Sequence, residues 1–144
     1  MDAYAFLFTK ISQRGEKMDK NVEQLVLVLT KEHEIYREIT QLAEIKKKVI
    51  MDSKLKELED ITKKEQAFTM SLIKLENLRS KTVDQLLSLY KLVEVNNISD
   101  LLQYMAEDER LAVGDIKKKI MSEVSVIEQK NSQNKALIEQ SLEF

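Results

Sequence analysis

The chain has 144 residues, 43% apolar and 33% charged, and its 25 acidic and 23 basic side chains leave a formal charge of −2. It contains no Pro, Cys or Trp, two Gly and one His, a shortage of turn formers that argues against a β-sandwich or an α/β domain and for long helices. Disulfides, cysteine chemistry and an ordinary zinc or di-iron site are excluded by the missing thiols and the lone imidazole. The length suits a single domain, balanced charge argues against a dedicated nucleic-acid binder, and no apolar run approaches the ~20 residues of a membrane span.

Residues 1–17 stand apart. Tyr4, Phe6 and Phe8 recur at period two, and Gly15 separates them from the helical stripes that begin at Val22. The apolar run from Ala3 to Phe8 has Asp2 ahead of it and no small-residue cleavage site after it, which makes a poor signal peptide and leaves a soluble, cytoplasmic protein as the expectation. Met18-Asp19-Lys20-Asn21 reads as a fresh start, a methionine followed by helix-capping side chains. Residues 1–17 are therefore either a native arm or an extension upstream of the true start, and residues 18–144 form one helical domain.

From Val22 a stripe at three- and four-residue steps runs through Leu25, Leu29, Glu32, Tyr36, Ile39, Ala43, Lys46 and Ile50, the spacing of one helix face turned toward a partner. Asp52 and Ser53 offer side-chain oxygens to cap the next helix. There the stripe is Leu58, Ile61, Glu65, Phe68, Leu72, Leu75, Arg79, Thr82, Leu86, Leu89 and Val93. Asn96-Asn97 breaks it, since Asn prefers turns and caps. A short apolar helix is expected from Ile98 to Met105, and a last helix from near Ala106 carrying Val113, Ile116, Ile120, Val124, Ile127, Asn131, Asn134, Ile138 and Leu142. Gly114 inside it costs about 1 kcal/mol relative to Ala and marks either a kink or a close backbone approach.

The pattern predicts an all-α fold: an elongated antiparallel three-long-helix bundle, up-down-up, with a short extra helix between the second and third long helices. A parallel coiled-coil dimer is the alternative, which the capped breaks disfavour.

Polar residues interrupt each stripe. Glu32, Lys46, Glu65 and Arg79 either snorkel, long stems covering the core while their heads reach water, or pair across the bundle. A turn centred on Asp52 sets residues whose numbers sum to about 104 opposite each other, which predicts a hydrogen bond from Tyr36 to Glu65. Asn131 and Asn134 cannot snorkel, and a buried amide needs partners. They set register, or the last helix runs past the other two, or this end of the molecule is a partly open surface where Leu137, Ile138 and Leu142 receive another chain.

Enzymatic parts are absent. Thr30 stands where a di-iron Glu would precede His33 by three residues, so His33 reads as a surface histidine. Gly15 and Gly114 stand alone and make no phosphate loop. The triplets Lys46-Lys47-Lys48 and Lys117-Lys118-Lys119 each fan across about 200° of a helix and present no single phosphate-binding face. No cofactor or metal is expected.

The Leu-rich helix with Glu32 and Tyr36, then Leu58, Glu65, Leu75-Glu76 and Arg79, then Ser99-Asp100-Leu101-Leu102 and a terminal Asn131-x-x-Asn134-x-x-Leu137 together resemble the FlgN-type flagellar export chaperones from about Met18 to Phe144. The resemblance implies a non-enzymatic cytoplasmic chaperone of flagellar type III secretion. Such a chaperone binds the C-terminal helical segments of the hook–filament junction proteins FlgK and FlgL and delivers them to an export-gate component at the membrane. It implies client binding by the last helix, at Ile127, Asn131, Asn134, Leu137 and Ile138, with Ile116, Ile120 and Val124 contributing. The family pattern omits the first 17 residues. Their aromatics, with Ile11, need an apolar surface, which the client groove of the same molecule or of a second copy offers, so a homodimer through the arm is a further expectation. The competing reading is a self-associating coiled-coil scaffold.

Overall fold

The computed structural model describes residues 18–94 and 97–142. The aromatic arm and Asn96 lie outside the described residues. Among those described there are four helices and no strand: α1 (Lys20–Met51), α2 (Leu55–Leu89), α3 (Ile98–Leu102) and α4 (Glu107–Leu142).

Local chemistry sets the starts. Asp19 N-caps α1, its carboxylate accepting from the Asn21 N–H at 2.7 Å. Asn97 and Asp100 close a reciprocal capping box on α3, each side chain accepting from the other's backbone N–H. The ends of α1 and α2 share one device. Ser53 lies at φ 54 and Lys91 at φ 60. Lys54 N–H bonds the Val49 carbonyl and Ser53 N–H that of Ile50, and the same pair recurs as Leu92 to Leu87 and Lys91 to Ser88. These are Schellman closures in which a residue with a side chain occupies the left-handed position that Gly normally fills. Asp52 and Ser53 thus terminate α1 instead of capping α2, which begins after Lys54 with no side-chain cap. The short helix stops at Leu102, earlier than expected, and Met105 is buried beyond it. Helix α4 runs unbroken through Gly114, where an added methyl would meet nothing within 4 Å, so no backbone closes on it.

Helix α1 lies between the other two long helices. Its bonds to α2 are antiparallel: Arg79 pairs with Glu32 and Glu65 with Lys46, and in both the residue numbers add to 111. Its bonds to α4 are parallel, since Asp19 with Glu109, Thr40 with Glu123, Glu44 with Lys130 and Ala43 with Asn134 stay 83 to 91 positions apart. The order is therefore up-down-up. The offset also sets the end of α4 level with the end of α1, so α4 does not overrun its neighbours. The α1–α2 sum exceeds the expected one partly because the turn between Met51 and Leu55 centres beyond Asp52, and partly because side chains lean toward their own helix N-terminus, which in an antiparallel pair displaces both partners toward higher numbers.

The main core sits at one end, where Val22, Leu25, Val26 and Leu29 of α1 meet Leu86, Val113 and Ile116. Leu101 and Met105 fill the space between α2 and α4 there. Glu109 ties this end together: one carboxylate oxygen accepts from Asp19 N–H at 2.8 Å and the other from Ala106 N–H at 3.0 Å, joining the starts of α1 and α4. Tyr90 stacks on Tyr104 with ring centroids 5.8 Å apart. A smaller cluster of Leu42, Val49 and Ile61 holds α1 to α2 at the opposite end.

Candidate functional site

Toward the opposite end α2 and α4 flank α1 without packing on each other, and a cleft of about 230 Å³ opens between them. Its floor is Ile39, Leu42 and Ala43 of α1, one wall is Glu65 and Thr69 of α2, and the other is Ile127 and Asn131 of α4. The stripes continue along both walls in half-buried form, through Phe68, Leu72 and Leu75 on α2 and Val124, Leu137 and Ile138 on α4. Hydrophobic faces of this length normally close on a neighbour; among the described residues these have none over the cleft.

The polar groups around it differ in how they are held. Glu65 accepts from the Lys46 ammonium with both oxygens at 3.2 Å, and its own carbonyl accepts from Thr69 Oγ1. The Tyr36–Glu65 bond expected from the stripes is therefore replaced by Lys46–Glu65. The Asn131 amide is exposed and makes no hydrogen bond within the described residues. Thr40 Oγ1 donates to Glu123 at 2.6 Å and Lys130 donates to Glu44, stitching α4 to α1 along the far rim.

Glu32 lies deeper, where the closed core gives way to the cleft. It is 2% exposed; Arg79 holds one carboxylate oxygen at 2.7 Å and the other has no partner. Burial pushes its carboxyl above the usual range, Arg79 works against that and Glu76 adds to it. The phenol of Tyr36 is raised as well, chiefly by burial and then by the Glu32 charge. All four stripe residues that could either snorkel or pair are thus paired, Glu32 with Arg79 and Lys46 with Glu65, and Glu32 is not at the core's edge but inside it.

The residues expected to bind a client divide. Ile127 and Asn131 line the cleft, and Val124, Leu137 and Ile138 are half-buried on the same helix. Ile120 packs against the closed core. Asn134 is 3% exposed and donates from Nδ2 to the Ala43 carbonyl at 3.0 Å, so it fixes α4 to the α1 backbone and sets the register between them. Sequence pattern placed no cleft residue on α1 or α2. Ile39, Glu65 and the neighbouring Phe68 were visible on their stripes, but a stripe read alone does not reveal that its partner stands off from it.

Among the described residues no three His, Asp or Glu side chains are grouped so as to hold a metal ion, and no helix is long and apolar enough to cross a membrane. No curated protein and no solved structure matches the chain. The family model described as FlgN protein matches residues 18–144, which include every described residue. With a match of that extent lying over all four helices, the protein belongs to the FlgN family and is a FlgN-type flagellar chaperone.

Proposed function

We propose that the protein is a cytoplasmic export chaperone, without enzymatic activity, that seats the C-terminal helical segment of a FlgK- or FlgL-type junction protein between α2 and α4 and hands it to the export gate. The observation that carries this reading is the cleft over Ile39, Leu42 and Ala43 in a chain of this family. At about 230 Å³ the cleft is smaller than the roughly 300–1,000 Å³ typical of small-molecule pockets, and it suits an apolar anchor side chain of a docked helix. A client segment disordered on its own gains by laying an amphipathic face there. Ordering the segment offsets part of that gain, so binding stays reversible.

In this reading Ile127 and Asn131 touch the client, Val124, Leu137 and Ile138 extend the contact, and Ile120 and Asn134 hold α4 in position. Titration calorimetry with the C-terminal segment of the cognate junction protein tests it. Asn131→Arg fills the cleft from an exposed position and Leu72→Asp charges the opposite wall; each should weaken binding at least about tenfold with unchanged helical content. Normal binding by both variants removes the cleft as the client seat. A tight dimer indifferent to the segment favours the scaffold reading.

A further inference from the structure

We propose that the outer face of α2 is a docking surface for an anionic lipid bilayer. Lys56, Lys63, Lys74 and Lys81 are exposed, and at about 100° per residue they fall within about 20° of one another, in a row about 38 Å long. None of the four pairs with a carboxylate among the described residues, whereas Lys46, Lys119 and Lys130 are each matched to one. Beside the row run Leu55, Met70 and Ile73, within about 60° of one another and each more than half exposed. Glu59 is the one carboxylate on the arc that holds these seven side chains. The surface is independent of the cleft, since Glu65 and Thr69, which wall the cleft, lie more than about 120° round the helix from the lysine row.

The make-up of this face favours a bilayer over a partner helix. Between its apolar residues, three- and four-residue spacing puts Glu59, Thr62, Gln66, Asn77 and Ser80 on the seam that a docked helix would have to bury. A bilayer makes no such demand. Apolar side chains enter its headgroup layer singly, lysine stems lie alongside them, and the ammonium groups stay with the lipid phosphates. The chain as a whole carries a charge of −2, so attraction comes from the local row instead of the net charge and fixes which side of the molecule faces the lipid.

Cosedimentation of the full chain with vesicles of equal parts phosphatidylglycerol and phosphatidylcholine tests the proposal. Binding should be measurable at low salt, absent with phosphatidylcholine alone and lost at about 0.5 M salt. Lys63→Gln, Lys74→Gln and Lys81→Gln together should weaken it at least about tenfold, since each lysine at an anionic surface contributes about a fivefold factor. Lys20→Gln, Lys118→Gln and Lys135→Gln make the same charge change at exposed positions on α1 and α4 and should weaken it less than about threefold. The chain contains no Cys, so Asn77→Cys and Ser132→Cys each accept a single environment-sensitive dye. The label at 77, on the proposed face, should shift to the blue on the anionic vesicles, and the label at 132, on α4, should not. No binding to the anionic vesicles, equal binding to phosphatidylcholine alone, equal losses in the two triple variants or equal dye shifts overturns the proposal. Capture of a Glu-rich helical peptide by this face without vesicle binding also overturns it and assigns the face to an acidic protein.

Discussion

The two ends of the molecule are made from the same three long helices, yet one is filled and the other is open. At the filled end Leu25 and Leu86 are fully buried, and α3 bridges α2 and α4 with Leu101 inserted between them. The open end has no such fourth element among the described residues. Its apolar stripes are as regular as those of the filled end, but Leu72, Leu75 and Phe68 remain half-buried, and Met51 and Leu55 at the apex are 65% and 76% exposed. Two long helices on either side of a central one cannot seal both flanks along their whole length. A further segment has to supply the missing layer, and α3 supplies it at one end only. Burial is therefore concentrated where α3 sits, and the other end stays open.

The sharpest way to break this comparison is to truncate matched residues in the two halves of α2. Leu86→Ala should cost about 3–4 kcal/mol, since a sealed core cannot relax around the lost methyls, whereas Leu72→Ala should cost under about 1 kcal/mol. Equal shifts in denaturant midpoint would mean that the open end is as well packed as the closed one. At the boundary, Arg79→Met strands the buried Glu32 charge and should destabilise the fold by about 3 kcal/mol at neutral pH. The Glu32 carboxyl is already raised in the folded state, and losing Arg79 raises it further. Stability falls as pH rises through that folded value, so the variant should recover part of its loss when urea melts are repeated under mildly acidic conditions.

Smaller effects sharpen the comparison further. Ser53→Gly at the open apex and Lys91→Gly at the closed end relieve left-handed backbone and should each stabilise by about 1 kcal/mol. The gains should add, because the sites share no partner; a thermal melt of the double variant checks this. The smallest effect at neutral pH concerns Tyr90, whose hydroxyl is buried without a partner. Burial, then Glu109 and Asp19, push its phenol up to about 12. Its contribution is complete below pH 10 and is lost as pH rises from 10 to 12, so in an absorbance titration Tyr90→Phe should remove the component near pH 12 while the raised phenol of Tyr36 persists.

Most of the helical layout was legible in the sequence because it follows from periodicity and capping: the α1 start at Asp19, the α3 cap at Asn97 and the α4 start near Ala106 are local matters. The site was legible only on α4. Ile127 and Asn131 were singled out, but Asn134 proved to hold register, and Ile39, Leu42, Glu65 and Thr69 were not assigned to a site. A lone buried amide and a binding amide look alike in sequence, since what separates them is whether a carbonyl such as that of Ala43 stands opposite.

The sequence by itself determined the all-helical class, the stripes and the turns without glycine, because these depend on interactions within a few residues. Tertiary structure alone decided that α1 is shared by two helices that each pack far more on it than on one another, that Glu32 pairs with Arg79 and Lys46 with Glu65, and that the apolar faces close at one end and stay apart at the other. Those outcomes depend on interhelical register and on where the short α3 inserts, which couple residues 19 to 91 positions apart and leave no mark on any single stripe.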